Sequence, residues 1–108
     1  MSDSMTSMNE DIARNIVFDK LLGENSIPVR LRTKSAFSMD EIKILYLALD
    51  FLIDFYHEKT EVPKKLALAF VDVYGAFSFR EGMYDEEMLN KLEDIGIELQ
   101  DKATQLLS

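Results

Sequence analysis

The sequence predicts a mostly α-helical protein, a compact bundle of about four helices. Apolar residues recur at intervals of three and four along most of the 108-residue chain, Ser-x-x-Glu capping patterns precede two of these stretches, and 47% of the residues are apolar. A chain of this length forms one core. We therefore expect residues 7–108 to form a single helical domain behind a flexible tail at residues 1–6.

The first helix is predicted over residues 8–22. Ser7 and Glu10 have the spacing of a capping box, in which each side chain satisfies an amide of the other residue. Apolar residues follow at helical spacing, and Gly23 provides a stop.

Residues 27–34 are predicted to be extended. Ile27, Val29, Leu31 and Thr33 alternate with Pro28 and three basic residues, a period typical of a strand, and Pro28 places that strand at an edge or at its start. A single strand needs a partner for its backbone hydrogen bonds. An unrecognised segment near residues 70–79 would make the fold α+β, which is the alternative fold class, and a second copy of the chain would make a homodimer through 27–34.

The most informative helix is predicted over residues 39–58, after a second capping box formed by Ser38 and Glu41. Apolar residues cover most of its circumference, which indicates a central helix packed on more than one side. Phe51 and Phe55 belong to a second apolar arc. That arc is either buried with the rest or partly exposed as a docking patch.

Two further helices complete the bundle. Pro63 fits the first turn of a helix over about 62–74, with an extension to Arg80 or a bend near Gly75 left open. The last helix is predicted over about 85–106, with Asp85 as its N-cap.

The formal net charge of −8 is unevenly distributed. Acidic residues are concentrated after residue 80, whereas Arg30 and Arg32 lie in a segment without acids. Four carboxylates share one side of the last predicted helix, at Glu87, Asp94, Glu98 and Asp101. Such a face either keeps a small protein soluble or meets a basic surface on a partner, and it disfavours direct binding of nucleic acid.

Several classes of chemistry lack their residues in this sequence. There is no cysteine, and the longest apolar runs, 44–49 and 66–71, are too short for a membrane span. Asp50, Asp54 and His57 share a helix stripe, but a metal site in a bundle needs ligands from a second helix. We expect no cofactor, no metal, no membrane contact and no catalytic residues, and a cytoplasmic location.

The segment from Leu49 to Phe70 contains an aromatic-rich helix, a short turn with Pro63 and a second predicted helix. In this spacing it resembles the bacteriocin immunity proteins of Gram-positive bacteria. The resemblance implies a small four-helix bundle that protects its producer cell.

The favoured hypothesis is a small, acidic, non-catalytic interaction module, an inhibitor or adaptor that docks on a larger macromolecular machine. Phage-encoded host-takeover proteins provide the analogy in size and charge. Another protein with a basic surface is the expected partner, and an inhibitor that mimics nucleic acid is the alternative. The candidate partner-binding residues are Phe51, Phe55, Glu87, Asp94, Glu98, Asp101, Arg30 and Arg32.

Overall fold

The computed structural model describes residues 8–33, 37–71, 77 and 84–108. These residues form five helices, and no strand occurs among them. The helices are α1 (Glu10–Leu21), α2 (Ile27–Arg32), α3 (Met39–Phe55), α4 (Lys64–Leu68) and α5 (Glu86–Leu107). Since 71% of the described residues are helical, the predicted mostly α-helical bundle is confirmed.

Helix α3 lies at the centre of the fold, packed against α1 and α5, while the short helices α2 and α4 pack on α1. The core is mostly aliphatic, and α3 contributes Ile42, Leu45, Ala48, Leu49 and Leu52 to it, all completely buried. The prediction that residues 39–58 form the central helix is therefore confirmed in position, although the helix ends at Phe55.

Side-chain caps fix where the three long helices begin. Ser38 and Glu41 form the predicted capping box, and the Asp85 side chain accepts the amide of Met88 at 2.8 Å. The start of α1 differs from the prediction. The Asn9 side chain accepts the amide of Ile12 at 2.9 Å, so Asn9 takes the N-cap position assigned to Ser7, which lies outside the described residues, as does the predicted tail at 1–6.

The strand predicted over residues 27–34 is wrong, because residues 27–32 form helix α2. Ser26 caps the helix, Pro28 occupies its first turn, and Ile27 and Leu31 are buried one turn apart. Alternation of apolar residues over so short a stretch also contains the i, i+4 pair that a helix buries. The backbone amides of α2 bond within the helix, so this segment offers no edge for β-pairing, and the homodimer predicted through it loses that basis.

The third predicted helix is shorter than expected. Helix α4 has five residues and is followed by a turn to Val71, while residues 72–76 and 78–83 lie outside the described residues. Leu66, Phe70 and Phe77 of this region are buried in the core. The predicted helix over 62–74 is therefore wrong at residues 69–71, which form a turn, and its remainder lies outside the described residues.

Candidate functional site

The carboxylate of Glu41 joins α1, α2 and α3. Both terminal nitrogens of Arg30 donate to it, Lys20 donates at 3.1 Å, and the backbone amide of Ser38 donates at 3.1 Å. The hydrogen bonds from Arg30 are the main reason why the pKa of Glu41 falls from its ordinary 4.5 to about 2, against the opposing effect of burial. Arg30, a candidate partner-binding residue, is thus engaged within the fold, whereas Arg32 is exposed.

The outward side of α3 carries a row of apolar side chains that face solvent. Ile44, Leu47 and Phe55 are 44%, 61% and 38% exposed, and Phe51 is half-buried. The spacings of three, four and four residues place all four on one side of the helix. The rings of Phe51 and Phe55 stack with centroids 6.1 Å apart. We call these four residues the α3 ridge.

Charged residues of both signs border the α3 ridge. Asp40 and Lys43 lie exposed at its N-terminal end, and Asp54, Glu58 and Lys59 lie exposed at its C-terminal end. The Lys59 ammonium sits 4.8 Å from the centroid of the Phe55 ring, a cation–π contact at the edge of the apolar surface. The border of the ridge is therefore nearly neutral.

Lys102 joins α5 to α3 beside the ridge. Its Nζ atom donates to Asp50 Oδ1 at 2.5 Å, lies 3.4 Å from Glu98 Oε2, and sits 5.4 Å from the centroid of the Tyr46 ring. Burial disfavours the charged ammonium, but the hydrogen bond to Asp50 and the charge of Glu98 outweigh it and raise the pKa of Lys102. Burial, together with Glu98 and Asp94, raises the pKa of Tyr46 to about 12.

The solvent side of α5 is a second and different surface. Ile97 is 51% exposed and lies one turn from Glu93, Asp94 and Asp101. We define the α5 outer face as Ile97 together with Glu86, Glu87, Glu93, Asp94 and Asp101. These five carboxylates are exposed and form no ion pair with another described residue, although Gln105 donates to Asp101 at 3.1 Å.

The structure separates the predicted site residues into two surfaces. Phe51 and Phe55 lie on the α3 ridge, and Glu87, Asp94 and Asp101 lie on the α5 outer face. Glu98 stands between the two surfaces, because it faces Lys102.

Three exposed apolar residues of these surfaces, Ile44, Leu47 and Ile97, are not among the predicted partner-binding residues. Ile44 could have been found as the residue three before Leu47 and seven before Phe51, and Ile97 as the apolar residue surrounded by acids at helical spacing.

Among the described residues, no group of three His, Asp or Glu side chains converges as a metal site would require. Asp50 of the predicted stripe bonds to Lys102. His57 lines an open depression of about 380 Å³ between the C-terminal ends of α3 and α5, where Tyr56 is also found. The Tyr56 hydroxyl donates to Glu10, and burial with this bond raises the pKa of Tyr56 to about 12.

None of the helices in the described part of the chain has the length and apolar character of a membrane span. No protein-family model, curated protein or solved structure matches this chain significantly. The resemblance to bacteriocin immunity proteins therefore gains no support from these comparisons.

Proposed function

We propose that this protein is a small, non-catalytic interaction module of the cytoplasm, an inhibitor or adaptor that binds another protein through the α5 outer face. The partner presents a basic surface with an apolar recess. The observation that carries this proposal is the exposure of Ile97 among carboxylates that form no ion pair with any described residue.

The arrangement suits docking because its two components have different roles. Unpaired carboxylates attract a basic surface over a distance and increase the association rate. An exposed aliphatic side chain at the centre of a contact supplies apolar burial once the surfaces meet. Ile97 lies within that charged surface, so a partner that neutralises Asp94 and Asp101 also covers Ile97.

The fold does not depend on these carboxylates. Helix α5 is anchored by its opposite side, where Leu92, Ile95 and Leu99 are buried. A charged face that packing does not need is consistent with a role in binding.

The test begins with affinity capture of the partner from a lysate of the native cells at low and high salt. The captured protein is then purified, and its binding to the wild type and to variants is measured by titration. The triple variant E87Q/D94N/D101N should bind at least about tenfold more weakly than the wild type, because three charge pairs are lost. The control triple variant D19N/E24Q/E61Q removes the same charge from exposed positions elsewhere and should bind normally.

Two results decide between explanations. Equal binding by the two triple variants would contradict the proposal. Competition for the partner by duplex nucleic acid, together with loss of binding in E87Q/D94N/D101N, would identify the interaction as nucleic-acid mimicry.

A further inference from the structure

The α3 ridge requires a separate explanation, because its border is nearly neutral while the five carboxylates of the α5 outer face form no ion pair within the described part of the chain. A strongly basic partner gains the most electrostatic attraction at the α5 outer face. The ridge instead offers four apolar side chains over about 16 Å of helix, with acids and lysines at both ends. We propose that this ridge binds a second copy of the same chain, with the two α3 helices antiparallel.

The apolar residues of the ridge are spaced for such a pairing. In an antiparallel pair of helices related by a twofold axis, a residue on one side of the axis faces the residue of the other copy that lies equally far along the chain on the other side of the axis. With the axis near the level of Leu49, Ile44 of one copy faces Phe55 of the other, and Leu47 faces Phe51. Every apolar residue of the ridge then has an apolar partner.

The charges at the ends of the ridge are also complementary in this orientation. Lys43 of each copy lies near the level of Asp54 of the other, and Lys59, held over Phe55, approaches Asp40. A twofold axis perpendicular to the plane of the two helices keeps Lys43 and Asp54 on the same side of the contact. Glu58 adds a third carboxylate at each end, so each cluster keeps one net negative charge.

A parallel pair would not have this complementarity. Its twofold axis would run along the helices and place the two Lys43 side chains on opposite sides of the contact, and Lys43 of one copy would lie about 16 Å along the helix from Asp54 of the other. The antiparallel pair also leaves both α5 outer faces open, since Lys102, with Asp50 and Glu98, lies between the ridge and the α5 outer face. The dimer would therefore present two acidic faces.

The contact involves few residues, and two chains of net charge −8 repel each other. A small interface of this kind is weak and depends on concentration. Sedimentation velocity over a concentration series is therefore the appropriate measurement, and it should show the wild type passing from monomer to dimer.

Charge exchange across the ridge gives the sharpest test. K43D and D54K each place like charges at both ends of the contact, so each variant alone should raise the dimer dissociation constant at least about tenfold. An equimolar mixture should restore dimerisation, because both ends of the mixed dimer again pair opposite charges. K91D mixed with D94K on α5 is the matched control, and neither of these variants should change the dissociation constant by more than about threefold.

A second pair of variants tests the apolar contact. L47D should abolish the dimer, whereas I97D, at a residue of comparable exposure on the α5 outer face, should leave it intact. Circular dichroism should show both variants folded, since both positions are exposed. A wild-type chain that stays monomeric at its highest soluble concentration, a dimer that persists in L47D, or a mixture of K43D and D54K that stays monomeric would each overturn the proposal.

Discussion

The α3 ridge and the α5 outer face are both solvent sides of long helices that pack against each other, yet they differ in chemistry. The ridge is apolar with charges of both signs at its ends, and the α5 outer face is acidic with one apolar residue at its centre. The net charge of −8 is therefore a poor description of the surface as a whole. Each face suits a different occupant, and a single composite docking surface is not required.

The largest expected effect comes from comparing the two sides of α3. Leu49 is completely buried and Leu47 is 61% exposed, although both are leucines of the same helix. L49A should lower the free energy of unfolding by about 2–5 kcal/mol, because it removes core contacts and leaves a cavity. L47A should change it by no more than about 0.5 kcal/mol. Urea unfolding at a concentration where the chain is monomeric measures both values, and equal losses would contradict the assignment of the ridge as solvent-facing.

A smaller difference in unfolding free energy is expected between a carboxylate that bonds to other parts of the fold and one that faces solvent. E41Q should cost about 2 kcal/mol of unfolding free energy, because it weakens charged hydrogen bonds from Arg30 and Lys20. D94N on the α5 outer face should change the unfolding free energy by no more than about 0.5 kcal/mol.

The same comparison has a pH signature. Because the pKa of Glu41 is lowered in the folded state, its contribution is complete above the ordinary value of 4.5 and is lost as the pH falls towards about 2. The difference in stability between the wild type and E41Q should therefore shrink over that range. A difference that stays constant down to pH 2 would contradict this explanation.

The sequence was most informative where local signals are strong. Capping residues and apolar spacing located α3 and α5, since Ser38, Glu41 and Asp85 act within one turn of the helix they begin. The acidic side of α5 also followed from helical spacing alone. Residues 27–32 were misassigned because six residues contain both a two-residue and a four-residue apolar period, and burial of Ile27 and Leu31 against the core selects the helix.

Long-range contacts account for what the sequence did not indicate. Arg30 and Glu41 are separated by 11 positions, and Lys102 and Asp50 by 52 positions, so neither ion pair follows from spacing within one helix. The first contact withdraws Arg30 from the predicted binding surface, while Glu98 faces Lys102 one turn along α5. These contacts also divide the aromatic and acidic candidates into two separate faces, which requires knowing how α3 and α5 pack.

The most direct test of this division is a dilution series followed by two-dimensional amide NMR of the wild-type chain. The account predicts that the concentration-dependent shifts are concentrated at Ile44, Leu47, Phe51 and Phe55 and their borders, while amides of the α5 outer face, including Ile97, stay unchanged. Shifts concentrated on Glu93–Asp101 with a silent α3 ridge would contradict it.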